Sequence, residues 1–156
     1  MNEITQEKVN ELFEYRDGLL FWKVRKKYGP IQVGDRAGSM YNYRQVQIGD
    51  KMFKAHRIIY LMFHGTLPEI VDHIDNDPNN NRIENLRACT RAENNRNTTI
   101  RKDNTSGVKG VHWCKRDKKW IVRVGTYLGY FDELSKATEA ARHYRKVHHK
   151  EFARES

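Results

Sequence analysis

Apolar residues in this chain of 156 fall into short runs whose period changes along its length. Between Ile4 and Tyr15, Val9, Leu12 and Phe13 share one helical face. Thr5 is placed as N-cap and Lys8 takes the third helical position, so no capping box forms. Asp17-Gly18 signals a turn, and Leu19 to Val24 reads as a strand interrupted at Gly29-Pro30. Tyr43 to Ile48 and Met52 to Ala55 flank Gly49-Asp50, the pattern of a hairpin. From His56 to His64 the apolar run is nearly continuous, which predicts a buried helix ending at Gly65. Residues 70–80 are rich in turn formers, with Asn76, Asn79, Asn80 and Asn81 read in that role, and a second helix is expected from about Ile83 to Asn95.

The pattern changes after the polar stretch through Asn104-Thr105-Ser106, which reads as a linker. GVKGVHW, KKWIVRV and TYLGYF are each strand-length, with turns at Lys115 to Lys118 and at Gly125. Glu133 to His149 then places Leu134, Ala137, Ala140, Ala141 and Tyr144 on one side of a helix. The expectation is a three-stranded antiparallel sheet backed by one helix, with Trp120 and Phe131 in its core. The fold class is α+β. Its two domains are residues 1–98, with a core at about 55–97, and residues 107–156, joined by a linker at 99–106.

Composition narrows the function. The longest apolar run, Ile58 to Phe63, is too short to span a membrane, and the opening MNEITQEKVNEL does not resemble a signal peptide. Cys89 and Cys114 are isolated, which argues against a disulfide framework or a zinc ribbon and is consistent with a reducing cytoplasm. Net charge is +9 and unevenly spread. Residues 1–95 hold 14 Lys and Arg against 13 Asp and Glu, whereas residues 96–156 hold 15 against 7. A cationic end interleaved with aromatic residues suits a polyanion, and nucleic acid in particular.

Asp72-His73, followed by Asn85 and Asn94 within VDHIDNDPNNNRIENLRACTRAEN, is the chemically distinctive stretch. Phosphodiester cleavage needs a base for the attacking water and a cation for the charge that develops. A neutral histidine suits the first task and a divalent metal the second. Carboxylate and amide oxygens are hard donors, better matched to magnesium or manganese than to zinc. Neighbouring strand residues point to opposite faces, so the strand must bend or end at Asp72-His73 for both to serve one site.

Residues 71–95, with AHRIIYLMFHG at 55–65, resemble the HNH family of endonucleases, in particular its phage homing branch. LFEYRDGLLFWKV and the GDRAG turn extend the likeness over about 12–97. The resemblance implies a ββα-metal motif holding one divalent ion. Asp72 and Asn94 would be the metal ligands, Asn94 standing where the family name has histidine, with Asn95 and Asn97 nearby. His73 would be the general base, and Asn85 the catalytic-site asparagine that braces the loop and orients the histidine.

Residues 106–153 resemble an AP2-type DNA-binding domain through GVKGV, the Trp120 strand, YLGYF and the alanine-faced helix. That likeness implies double-stranded DNA as partner. Lys109, Lys115, Arg116, Lys118 and Arg123 would contact phosphates or guanine edges, and His112 and Trp113 would pack on sugars or stack. The expectation is a magnesium- or manganese-dependent homing endonuclease that nicks duplex DNA, one active site per chain suggesting a monomer, whereas double-strand cutting would need a dimer or sequential nicks. Its rivals are a non-cleaving DNA-binding regulator and an RNA-directed module.

Overall fold

The computed structural model describes residues 4–25, 29–40, 43–98, 100 and 102–148. The chain divides into two compact units, Met1–Thr90 and Arg91–Ser156. The expected linker is therefore not where the units part, and its positions 99 and 101 lie outside the described residues, as do 149–156 of the expected second domain.

In the first unit, helix α1 (Gln6–Leu12) is capped by the Thr5 hydroxyl, which accepts from the Lys8 amide at 3.3 Å. The helix stops earlier than its apolar face suggests, because Phe13–Arg16 forms strand β1 and pairs antiparallel with β2 (Leu19–Trp22). Asp17 and Gly18, at φ 48° and 83°, make the tight turn between them. Phe13 and Trp22 face each other across this hairpin, ring centroids 4.6 Å apart, and the core contact outweighs one more turn of helix.

Strands β3 (Ser39–Met40), β4 (Arg44–Ile48) and β5 (Lys51–Lys54) form a second small antiparallel sheet, in that order. It leads directly into α2 (Ala55–His64), which ends on left-handed Gly65 as expected. Val9, Phe13, Leu20, Trp22, Val46, Ile58, Ile59 and Leu61 make one core beneath these elements.

Strand β6 (Ile70–His73) pairs antiparallel with β7 (Leu86–Cys89), and a single 3-10 turn, Ile83–Asn85, precedes β7. The continuous helix expected from Ile83 to Asn95 is thus not formed. Leu86 and Cys89 are buried on the β6 ladder, and that pairing supplies backbone hydrogen bonds a helix would have to forgo. A helix begins only at Arg91.

That helix, α3 (Arg91–Asn97), opens the second unit. Strands β8 (Val111–Cys114), β9 (Lys119–Arg123) and β10 (Tyr127–Phe131) form an antiparallel sheet with β9 central. Helix α4 (Leu134–His148) covers one face, where Val111, Val122, Val124, Ala137 and Ala141 make a second core that Trp120 and Phe131 border. Asn104 organises the approach to β8: its side-chain oxygen accepts from the Ser106 and Gly107 amides at 2.9 Å each. Asn104-Thr105-Ser106 is therefore a hydrogen-bonded turn and not a free tether.

Gly110 has φ 78°, and a Cβ there would collide with the Arg123 carbonyl and the Val124 side chain. Its own carbonyl accepts from the Arg123 amide at 2.7 Å. Gly110→Ala is expected to destabilise the second unit by about 2 kcal/mol through the strained backbone alone, more with the clash, read as a lowered urea midpoint.

Candidate active site

The β6–β7 register sets the geometry. Asp72 lies directly across from Arg87, and His73 across from Leu86. The strand ends at His73, so Asp72 and His73 leave it on different sides, and each acquires its own partner.

Asp72 is buried and ion-paired with Arg87: Oδ2 accepts from Nη2 at 3.1 Å and from Nε at 3.2 Å. Removing one member of such a buried pair typically costs 3–5 kcal/mol, because the other charge is left behind.

His73 is equally buried. Its Nε2 lies 2.8 Å from the side-chain oxygen of Asn81, itself only 3% exposed. An amide oxygen only accepts, so in the neutral ring the proton sits on Nε2 and Nδ1 is the basic nitrogen. Asn81, expected to be a turn former, is thus the residue bonded to the histidine.

Asn85 acts on the loop. Its amide donates to Asp75 Oδ1 at 2.9 Å and to the Asn80 carbonyl at 2.8 Å, while its oxygen accepts from the Asp75 amide at 3.1 Å. The Asn85 carbonyl also accepts from the Ile74 amide at 2.9 Å. Residues 74–81 are folded into a closed loop that returns Asn81 to His73.

Two further rings wall the imidazole. His56, from the first turn of α2, meets His73 edge-on at 4.8 Å between centroids. Tyr43 stacks near His73 at 6.2 Å and carries Lys54 over its own ring at 4.4 Å. Burial, then the neighbouring charges of His73, Lys54 and Arg57, push His56 down to about 3, so it stays neutral at working pH. Nothing in the sequence pattern distinguished His56 from a helix-lining residue. Arg87 was hidden for another reason: it opposes Asp72 only if Leu86–Cys89 is a strand.

Asn94 lies half-buried on α3 in the second unit. Among the described residues, no group of three or more His, Cys, Asp or Glu side chains is arranged to hold a metal. Taken by donor chemistry alone, the Asp72 carboxylate and the Asn94 amide oxygen are each hard donors of the kind magnesium takes, with water or substrate phosphate filling the rest of its shell.

In the second unit, alternation assigns the residues proposed to meet DNA to different faces of the sheet. His112 opposes Ile121, which opposes Tyr130, and Arg123 opposes Tyr127, all on the side away from α4. The Arg123 guanidinium lies over the Tyr127 ring at 5.7 Å. Trp113 instead opposes Trp120 on the helix-covered side, centroids 5.1 Å apart, although it remains 40% exposed at the edge. Strand alternation thus puts Trp113 and His112 on opposite faces of the sheet.

Lys115, Arg116 and Lys118 occupy the β8–β9 turn and not the sheet face, and Arg116 pairs with Asp117 at 3.0 Å. Hydrogen bonds from Arg116 and then Cys114 hold the Asp117 carboxyl down at about 2. Lys109 is no sheet-face residue either. It precedes β8, and its ammonium donates to the carbonyls of Asn95 and Arg96 at 3.1 and 2.9 Å. Tyr127 and Tyr130, which the sequence reading passed over, are exposed beside Arg123.

Residues 53–96 match the HNH endonuclease family model. That stretch includes Asp72, His73, Asn85 and Asn94. HNH nucleases generally use a divalent metal ion. The chain is also similar to Protein 3.8 of Escherichia phage T7, 36% identical over 69 residues. That alignment covers 43% of this chain and 57% of the phage protein, so the chain spans little more than half the length of that relative. No solved structure matches the chain. Among the described residues, no helix is long and apolar enough to cross a membrane.

The buried neutral His56 links stability to pH. Unfolded, it takes up a proton below its ordinary value of 6.5, whereas folded it resists until about 3. Its contribution is therefore complete above pH 6.5 and is lost as pH falls through that window, with a slope of at most about 1.4 kcal/mol per pH unit. His56→Phe should remove this slope, so the two urea-midpoint curves converge as pH drops from 6.5 to 4. Parallel curves would show that His56 is charged in the folded protein.

Proposed function

We propose that this protein is a divalent-metal-dependent DNA endonuclease of the phage homing type that nicks duplex DNA, with His73 as general base. The observation that carries the reading is the buried imidazole whose Nε2 is held on Asn81, inside the segment that matches the HNH family. The attacking water would lose its proton to Nδ1. Asn81 keeps the tautomer that makes Nδ1 basic, His56 and Tyr43 restrain the ring plane, and Asn85 stiffens the loop behind it. Asp72 and Asn94 would hold magnesium or manganese, which when bound neutralises charge on the phosphate and assists departure of the 3′ oxygen. Arg87, ion-paired with Asp72, orients its carboxylate for that task.

The second unit would supply affinity, in the manner of the AP2-type domain it resembles. Its sheet face away from α4 carries His112, Arg123, Tyr127 and Tyr130, a mixture suited to phosphate contacts and to packing on sugars. The β8–β9 turn adds Lys115, Arg116 and Lys118. One candidate base per chain suits the cutting of one strand by a monomer.

Two measurements test the reading. In a magnesium-dependent plasmid-nicking assay, His73→Ala should lose about 10²- to 10⁴-fold in rate with DNA binding retained. Cleavage at the wild-type rate would remove His73 from the mechanism. DNA bound without any cleavage by the wild type, in magnesium or manganese, would leave a non-cleaving DNA-binding protein. Separately, Arg123→Ala should weaken duplex binding and reduce the slope of log affinity against log salt by about one. An unchanged slope would take Arg123 off the interface.

A further inference from the structure

Helix α3 has seven residues, too few to be stable alone in water, and it carries Asn94. Its C-terminal end is closed from outside. The Lys109 ammonium donates to the carbonyls of Asn95, Arg96 and Thr98, and to the Thr98 hydroxyl at 3.0 Å. Thr98 in turn donates its hydroxyl proton to the Asn95 carbonyl at 2.8 Å. An ammonium has three protons, so these four acceptors engage all of them. A positive charge at this end also complements the helix dipole.

Lys109 is itself held on its other side. Its backbone carbonyl accepts from Arg145 Nη1 at 2.5 Å, and Arg145, on α4, is only 4% exposed. The adjoining Gly110 carbonyl is bonded to the Arg123 amide in β9, where no side chain at position 110 would fit. A continuous path therefore runs from α4 and β9 through Lys109 to the last turn of α3.

We propose that Lys109 is a positioning residue: its side chain fastens the helix bearing Asn94 to the sheet-and-helix unit, and so sets Asn94 for metal binding. The proposal rests on the metal-dependent reading above. It gives Lys109 a task other than phosphate contact, because a phosphate would have to compete with four oxygens already around the ammonium. It also makes the sheet unit the support of a candidate metal ligand, beyond any part it plays in gripping DNA.

The test uses the full chain with Lys109→Met, Lys109→Arg and Thr98→Val. In metal-free protein, hydrogen exchange of the α3 amides should speed up several-fold in Lys109→Met, less in Thr98→Val, and should be restored in part by Lys109→Arg. In cleavage assays the magnesium concentration for half-maximal rate should rise about tenfold in Lys109→Met, the size expected when support behind a metal ligand is removed. The salt dependence of duplex binding should not change. Wild-type exchange in Lys109→Met would overturn the proposal, as would a salt slope reduced by about one with an unaltered magnesium requirement, which marks a phosphate contact. Should Lys109→Met not fold, unaltered exchange and magnesium requirement in Thr98→Val would count equally against it. A wild type that never cleaves would defeat the nuclease reading alone, since the exchange experiment still decides whether Lys109 holds α3.

Discussion

The pairing of Ile70–His73 with Leu86–Cys89 is the constraint on which the candidate site rests. One residue of slip would turn every side chain of one strand to the opposite face. In the observed register Asp72 meets Arg87, and His73 is left at the strand end, where the chain can turn. The segment between the strands must then close on itself. It does so through Asn85, whose amide bridges Asp75 and Asn80 and so returns Asn81 to the imidazole. Strand register, loop closure and histidine tautomer are successive consequences of one ladder.

The surroundings of His73 are mostly rings. It is buried beside another imidazole and a phenol ring, and the second imidazole is kept neutral by the same burial. A neutral His56 gives the wall shape without placing a charge beside His73. Polar chemistry is thus set in a largely apolar wall, with Asn81 fixing which nitrogen bears the proton.

The second unit combines its roles differently. Its exposed sheet face has aromatic rings and Arg123, while Lys109 and Arg145, which composition would count with the basic residues, are committed to internal hydrogen bonds. Charge counted along a sequence overstates the charge available to a partner. Lys109 makes the point most clearly, being half-buried with its ammonium among carbonyls.

Local signals were legible where the physics is local. Thr5 capping α1, the Gly49-Asp50 hairpin, Gly65 ending α2 and the alanine face of α4 all follow from neighbours within a few residues. The string from Asp72 to Asn94 lies within the stretch that matches the HNH family model, a likeness carried by residue type and order along the chain. Pairing at a distance decided the rest. Phe13–Arg16 left the helix because Leu19–Trp22 was available, and Leu86–Cys89 became a strand because Ile70–His73 lay beside it. The partner of His73 among four loop asparagines, the face on which Trp113 falls and the capture of the Lys109 ammonium depend on which segments meet in space. A one-dimensional pattern carries periodicity, but a hydrogen bond between residues far apart in sequence is chosen only once the chain has folded.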